Sequence, residues 1–348
     1  MSRKSIYIRT DGNKVIATGH VMRCLAIAEK LRLRGIDVIF VLADAEMELF
    51  INKHGFQTII LATTWNDLDG EIEKFQSLII KNQIKVVLLD SYYVTEYYFG
   101  EISKYTKIVY IDDLHNVKYP IHAIISYSVR TQNVTYGSKL KTTRMLMGGK
   151  YVPLREEFEN VVPQTRKEVT NLLITMGGSD PANATCRIVD SLVNSLRYRN
   201  IKIHVVTGQL YHNLPELLQI SEADNICIYR NVLDMKSLMQ SCDIAIAACG
   251  TTLYELCVCG IPTICVEISE NQAGSEVWED RNLMFYAGNF VTDPEKCIQV
   301  MLKRLDEYIA SYALRKERAE AMHQVVDGAG ADRIAEYLDN EVGEESNE

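Results

Sequence analysis

"DIAIAACGTTLYELCVCGIPTICVEI", residues 243–268, reads as one repeating unit of an α/β protein. Two short runs rich in Ile, Ala, Val and Thr flank Gly250-Thr251-Thr252, a helical stretch carrying Glu255, and the turn Gly260-Ile261-Pro262. A strand that is apolar throughout is buried on both faces, and strands joined through a helix run parallel. The same grammar extends upstream, where "VTNLLITMGG", "IKIHVVTG" and "NICIYR" read as three more strands.

The first half repeats it. "SIYIRT", "DVIFVLAD", "FQTIIL", "KVVLLD", "KIVYIDD" and "AIISYS" are buried strands separated by amphipathic stretches. Val21, Leu25, Ala28 and Leu31 recur at helical spacing and Gly35 closes that helix; Trp65, Leu68, Ile72, Phe75 and Ile79 give a second helical face. A polar stretch, "REEFENVVPQTRKEV", separates the halves near residues 155–168. The expected architecture is α/β, with two Rossmann-like doubly wound domains and an interdomain cleft at the strand C-terminal ends. The domains are expected over 1–160 and 161–325, followed by a C-terminal helix and acidic tail over 326–348. Helix is expected from about Asp293 to Leu338, and "DNEVGEESNE" as a disordered end.

At 348 residues and 47% hydrophobic composition, each half is long enough to bury its own core. A net charge of −9 argues against general binding to nucleic acid or acidic membranes. It leaves room for a phosphate-bearing ligand, since helix N-termini bind anions locally. No apolar run reaches the roughly 18–20 residues that span a bilayer. The nine cysteines show no paired metal-ligand spacing, and "CVCG" at 257–260 reads as a helix end packing small thiols. The expectation is a reduced, cytoplasmic protein without a metal or cofactor.

Several stretches carry candidate chemistry. In "ITMGGSDPANAT", Gly177 and Gly178 let the backbone approach a ligand, and Pro181 marks a helix start with Ser179 or Asp180 as its cap. Either the loop touches a ligand or it is a plain strand-turn-helix. Thr251 and Thr252 begin a helix, where hydroxyls and free amides together favour a phosphate. Glu255, one turn on, either accepts from a ribose diol or only complements the helix dipole. "SENQAGSE" adds Asn271 and Gln272.

In the first half, Asp90, Asp112 and Asp113 end strands, and such acids either face the cleft or cap the next segment. His115 and His122 read as loop residues, and His54 as a helix C-cap. His20 begins a helix, whose positive end disfavours imidazolium and so keeps a neutral base. Gly19 leaves room for a substrate, and Arg23 shares the helix face, anchoring His20 or touching the ligand. The alternative is a helix-start histidine bonded to a backbone carbonyl.

These residues in order resemble the UDP-sugar hydrolase family of pseudaminic acid biosynthesis. "RTDGNKVIATGHVMRCLAIA" carries its Arg-x-Asp and Gly-His-x-x-Arg, and "LLDSYYV", "YIDDL", "GGKYVPLREEF", "LLITMGGSDPAN", "AIAACGTTLYELCVCGIPTI" and "SENQ" follow in sequence. The set runs across about residues 6–290. The fold and nucleotide site are also similar to those of the transferase that adds N-acetylglucosamine to the lipid-linked peptidoglycan precursor, and a spore-coat polysaccharide subgroup shares the signatures.

The resemblance implies a metal-independent hydrolase of the GT-B type that cleaves UDP-2,4-diacetamido-2,4,6-trideoxy-β-L-altropyranose to free sugar and UDP, for surface or flagellin glycans. By position, His20 is then the base that positions and deprotonates water, Asp11 and Tyr92 line the sugar side, and Gly19 lets the sugar and diphosphate approach. Gly178, Ser179, Thr251, Thr252 and Glu255 hold UDP, with Asn271 near the sugar-phosphate. The implied partners are the UDP-sugar and transient contacts with pathway enzymes, with no nucleic acid and no stable membrane insertion. The chain departs from the pattern at Ala17, Thr18 and Ser91. The runner-up is a glycosyltransferase using a UDP-sugar donor, in which an acceptor hydroxyl replaces water. A third possibility is a nucleotide-sugar binder without catalysis.

Overall fold

The computed structural model describes residues 4–16, 18–115, 117–129, 136, 140–208, 210–221 and 224–343. The chain divides into two units, one of Met1–Glu156 with Ala329–Glu348, the other of Glu157–Gly328.

In the first unit β1 (Ser5–Thr10), α1 (Gly19–Leu33), β2 (Asp37–Leu42), α2 (Glu48–Lys53), β3 (Gln57–Ile60), α3 (Ile72–Asn82), β4 (Val86–Asp90), α4 (Glu96–Ile102), β5 (Lys107–Ile111), β6 (Ala123–Ser126) and β7 (Arg144–Met147) follow one another. The strands form one sheet in the order β3-β2-β1-β4-β5-β6-β7. All pairings are parallel, with Tyr7 set between Ile39 and Val87. Order reverses between β1 and β4, so the loops leaving these two strands diverge and open a crevice at their C-terminal ends. That places the start of α1 beside Asp90.

The second unit runs β8 (Asn171–Thr175), α5 (Ala184–Val193), β9 (Lys202–Thr207), α6 (Leu214–Ile220), β10 (Ile226–Arg230), α7 (Met235–Ser241), β11 (Ile244–Ala248), α8 (Thr252–Cys259), β12 (Thr263–Glu267), α9 (Val277–Asp280), β13 (Phe285–Asn289), α10 (Pro294–Ala310) and α11 (Tyr312–Val325). Its sheet is also parallel, in the order β10-β9-β8-β11-β12-β13, with the reversal between β8 and β11. The chain thus holds two parallel sheets of seven and six strands, as expected of two doubly wound domains. β11 and β12 are fully buried, as their unbroken apolar runs require.

The last described helix belongs to the first unit. α12 (Gly330–Gly343) packs on α1 and is pinned by Lys4–Asp339 (2.7 Å), Arg34–Asp332 (2.9 Å) and Lys107–Glu341 (2.8 Å). Ile334, Ala335 and Leu338 are buried on its inner face. Residues 339–343, expected as disordered tail, are therefore helical, because this apolar stripe and its acids have partners; 344–348 lie outside the described residues.

Other expectations are corrected. Trp65 and Leu68 lie outside α3: Asp67 accepts from the Gly70 amide (3.1 Å), and this turn delays the helix to Ile72. Pro181 does not start a helix. Asp180 Oδ1 and Oδ2 accept from the amides of Ala184 (2.9 Å) and Thr185 (2.8 Å), so α5 begins at Ala184, while Ser179 is exposed and caps nothing. β7 and β13 are strands that apolar patterning missed, since "RMLM" is short and half-exposed and "FYAGN" carries a glycine.

Candidate functional site

Asp11, Ile16, His20, Asp90, Ser91, Tyr92 and Tyr93 line a narrow hollow at the β1/β4 reversal. His20, only 4% exposed, is the second residue of α1. Its Nδ1 lies 2.7 Å from Asp90 Oδ1. In the tautomer whose Nδ1–H donates to this carboxylate, Nε2 keeps the lone pair, and Arg23 Nη2, 2.9 Å from the same nitrogen, donates to Asp90 instead. The partner of His20 is thus a carboxylate rather than the backbone carbonyl of the bland alternative.

Arg23, one turn along α1, ties the arrangement down. Its Nε donates to Asp90 Oδ2 (2.6 Å) and its Nη2 to Asp90 Oδ1 (2.5 Å), while Nη1 donates to Asp113 Oδ2 (2.5 Å) and to the Tyr127 hydroxyl. Burial opposes ionisation of Asp90, but Arg23 and His20 outweigh it and hold this carboxyl far below the usual range. The first turn of α1 has no acid of its own, so Asp90 also supplies the negative charge that a helix N-terminus favours. Asp90 was legible only as an acid at a strand end.

Tyr92 packs edge-on against the imidazole, with ring centroids 4.4 Å apart. Its hydroxyl donates to Asp113 (3.3 Å), and burial followed by Asp113 pushes its pKa up to about 12, so it remains a donor. A Cβ at Gly19 would meet nothing within 4 Å, which leaves open space over the helix start. Ser91 Oγ accepts from the Tyr93 amide (3.2 Å). Thr18 is the N-cap of α1 without a side-chain bond, and Ala17 lies outside the described residues.

Asp11 belongs to a buried charge network. Its Oδ2 accepts from Arg9 Nη1 (2.5 Å) and its Oδ1 from the Ala43 amide (2.8 Å). Arg9, fully buried, is gripped on its other edge by both oxygens of Glu71, each at 2.7 Å, and Tyr98 donates to Glu71 Oε1 (2.9 Å). Burial raises the Asp11 pKa despite Arg9. Glu71 lies 62 residues from Arg9 in the chain, and no local pattern announces their meeting.

Asp112 caps its own loop, accepting from the His115 amide (2.7 Å) and the Tyr136 hydroxyl (2.9 Å). His115 and His122 lie in loops; Ser126 Oγ stands 3.1 Å from His115 Nδ1, and His122 pairs with Glu341 (2.6 Å). His54 is the C-cap of α2, its Nδ1 facing the Phe50 carbonyl (2.9 Å).

In the second unit the loops at the β8/β11 reversal carry Gly177, Gly178 and Ser179, all exposed, and Gly250 with Thr251. Gly177 has φ +79°, and a Cβ on Gly178 or Gly250 would meet nothing within 4 Å. Gly208, overlooked in the sequence, is what lets this loop lie where it does: a Cβ there would stand 2.4 Å from the Gly178 carbonyl oxygen. Thr251 caps α8 without a side-chain bond, and Thr252 and half-buried Glu255 lie in its first turn. Helical geometry aims the first-turn amides of α8 outward. Gln272 Oε1 accepts from the Ile268 amide (2.9 Å), a structural bond, whereas exposed Asn271 accepts from Ser269 Oγ (2.7 Å). Cys257 and Cys259 are buried in α8; burial raises both thiols, that of Cys259 to about 12, which suits packing rather than ligation. Among the described residues no cluster of three metal-ligating side chains occurs and no helix is long and apolar enough to cross a membrane.

Residues 172–338 match the glycosyltransferase family 28 C-terminal domain. The chain is 29% identical over 296 residues to an uncharacterized protein of Methanocaldococcus jannaschii, covering 79% of this chain and 57% of that one. It is 24% identical over 347 residues to the spore coat polysaccharide biosynthesis protein SpsG of Bacillus subtilis, covering 95% and 96%. It is 25% identical over 279 residues to the Helicobacter pylori pseudaminic acid cytidylyltransferase and UDP-2,4-diacetamido-2,4,6-trideoxy-beta-L-altropyranose hydrolase, covering 78% of this chain and 46% of that one. The chain thus spans only about half the length of the archaeal and Helicobacter relatives. The crystal structure of Acinetobacter baumannii MurG superposes with a TM-score of 0.69 at 15% identity, over 97% of this chain and 99% of that one. The fold is that of the GT-B glycosyltransferases.

Proposed function

We propose that this GT-B chain, with a family 28 type C-terminal domain, hydrolyses a UDP-linked diacetamido-trideoxy sugar to the free sugar and UDP without a metal. The observation that carries the reading is the His20–Asp90 pair, which orients an imidazole lone pair in a hollow one helix turn from Arg23. The activity for which the Helicobacter relative is named supplies the substrate class.

In the proposed reaction, water oxygen bonds to the anomeric carbon as the bond from that carbon to the UDP oxygen breaks. Nε2 of His20 takes the water proton, and Asp90 stabilises the imidazolium that forms. The departing diphosphate leaves with its charge, and the amides around Gly178, Ser179, Thr251 and Thr252 are the donors suited to it. Glu255 is assigned to the ribose and Asn271 to the sugar-phosphate. Asp11, Gly19, Arg23 and Tyr92 form the sugar side, Arg23 acting through Asp90 and His20. UDP is a fair leaving group, so a second carboxylate acting as acid is not needed.

Incubation with candidate UDP-sugars and water alone tests this, with UDP and free sugar expected in equal amounts. His20→Ala is expected to abolish turnover with UDP affinity retained; equal loss of both makes His20 a structural or binding residue. The family 28 match and the spore coat relative favour a second reading, a glycosyltransferase using a UDP-sugar donor. UDP release only on adding an acceptor sugar selects that reading.

A further inference from the structure

Beyond the hollow that holds His20, the β3 and β4 loops bring two aromatic side chains together. Tyr93, 41% exposed, lines the hollow, and half-buried Trp65 stands against it with ring centroids 5.2 Å apart and planes at 83°. The two rings make an L-shaped corner. Exposed aromatic surface beside a polar hollow marks a contact for a ligand that is apolar on one side.

The corner is held rigidly. The Leu61 amide donates to the Leu42 carbonyl (2.9 Å) and the Thr63 amide to that of Ala43 (3.0 Å). Lys74 Nζ donates to the carbonyls of Leu61 (3.0 Å) and Ala62 (2.8 Å), and Ala62 holds φ +52°. On the Tyr93 side, Thr95 caps α4 and its hydroxyl donates to Asp69 (2.6 Å), joining the two loops. The loop backbones beneath the two rings are therefore ordered before a ligand binds.

We propose that Trp65 and Tyr93 form a specificity platform for the methyl groups of an amino sugar's acetamido substituents. The inference rests on the nucleotide-sugar reading above and names which face of the sugar is selected. The hollow is too narrow to enclose a sugar ring. A sugar whose anomeric carbon meets His20 therefore extends out of it, and the path along Tyr93 leads onto Trp65. Asp11, His20 and Ser91 offer polar contacts within the hollow, whereas the corner offers mainly ring faces and edges, with the Tyr93 hydroxyl and the Trp65 indole N–H as its polar tips. Hydroxyls lose solvation against such a surface and methyl groups gain by it, so the platform discriminates by substituent.

The test measures the affinities of UDP, UDP-glucose and UDP-N-acetylglucosamine by calorimetry in a His20→Asn protein, so that the probes stay intact. The acetamido sugar is expected to bind about 2- to 10-fold more tightly than the glucose one, the range of a single aromatic contact. Trp65→Ala and Tyr93→Ala are each expected to bring that ratio towards one without changing the affinity for UDP; Trp65→Phe retains it. A ratio of one in the parent protein, or one that survives both alanine variants, overturns the platform. If UDP itself fails to bind, the nucleotide-sugar reading fails instead. The platform is then judged by Trp65 fluorescence in a Trp278→Phe protein, where saturable quenching by free N-acetylglucosamine but not by glucose supports it. Equal or absent quenching overturns it.

Discussion

Replacing Asp90 by Asn changes one charge and almost no volume, yet it alters the bonds of both His20 and Arg23. Asp90 accepts from His20 Nδ1 at 2.7 Å and from Arg23 at 2.6 and 2.5 Å. An amide keeps one acceptor oxygen and presents a donor at the other position, so the imidazole is no longer held with its lone pair on Nε2. By analogy with carboxylate–histidine pairs elsewhere, turnover should fall about 10³–10⁴-fold. Breaking a buried ion pair from one side costs about 3–5 kcal/mol. Here the lower end applies, because Asp113 and Tyr127 still hold Arg23. For a unit of this size, about 3 kcal/mol lowers the unfolding midpoint by roughly 6–12 °C. UDP release, measured well below the new midpoint, separates the two effects. Turnover within tenfold of the parent, alongside the thermal loss, would refute the base assignment and leave Asp90 a structural residue.

The same carboxylate sets a pH dependence. Its folded pKa is held well below the unfolded value near 3.9, so its stabilisation is complete above that value and is lost as pH falls towards the folded one. The difference in midpoint between the parent and Asp90→Asn should therefore be largest at neutral pH and shrink in acid; a constant difference refutes the linkage. Glu71→Gln, which leaves buried Arg9 with Asp11 as its carboxylate partner, should cost about 3–5 kcal/mol in denaturant unfolding. Gly208→Ala forces a methyl to 2.4 Å from the Gly178 carbonyl and should cost about 1–3 kcal/mol. It should also weaken UDP binding severalfold by displacing the 177–179 loop, whereas unchanged affinity would remove that loop from the nucleotide site. EDTA should leave UDP release unchanged, and strong inhibition restored by a divalent cation would sink the metal-free reaction.

What the sequence by itself determined was the alternation of buried strands and helices. Val, Ile and Ala runs such as 244–248 can be solvent-free on both faces only in a parallel sheet covered by helices. His20 was legible because its place at a helix start follows from chain-local pattern, and Thr251 and Thr252 for the same reason. Asp90 was visible only as a strand-end acid, since its pairing with His20 spans 70 residues and depends on β4 lying beside β1. Arg9–Glu71, the Trp65–Tyr93 corner and the Gly208–Gly178 contact are set by strand order in the same way. The return of α12 to the first unit is likewise a tertiary decision, because its apolar stripe matches any helix groove until Lys4, Arg34 and Lys107 supply charges for its acids. Local pattern specifies elements through short-range sterics and solvation; which side chains share a site depends on crossovers that no window of sequence contains.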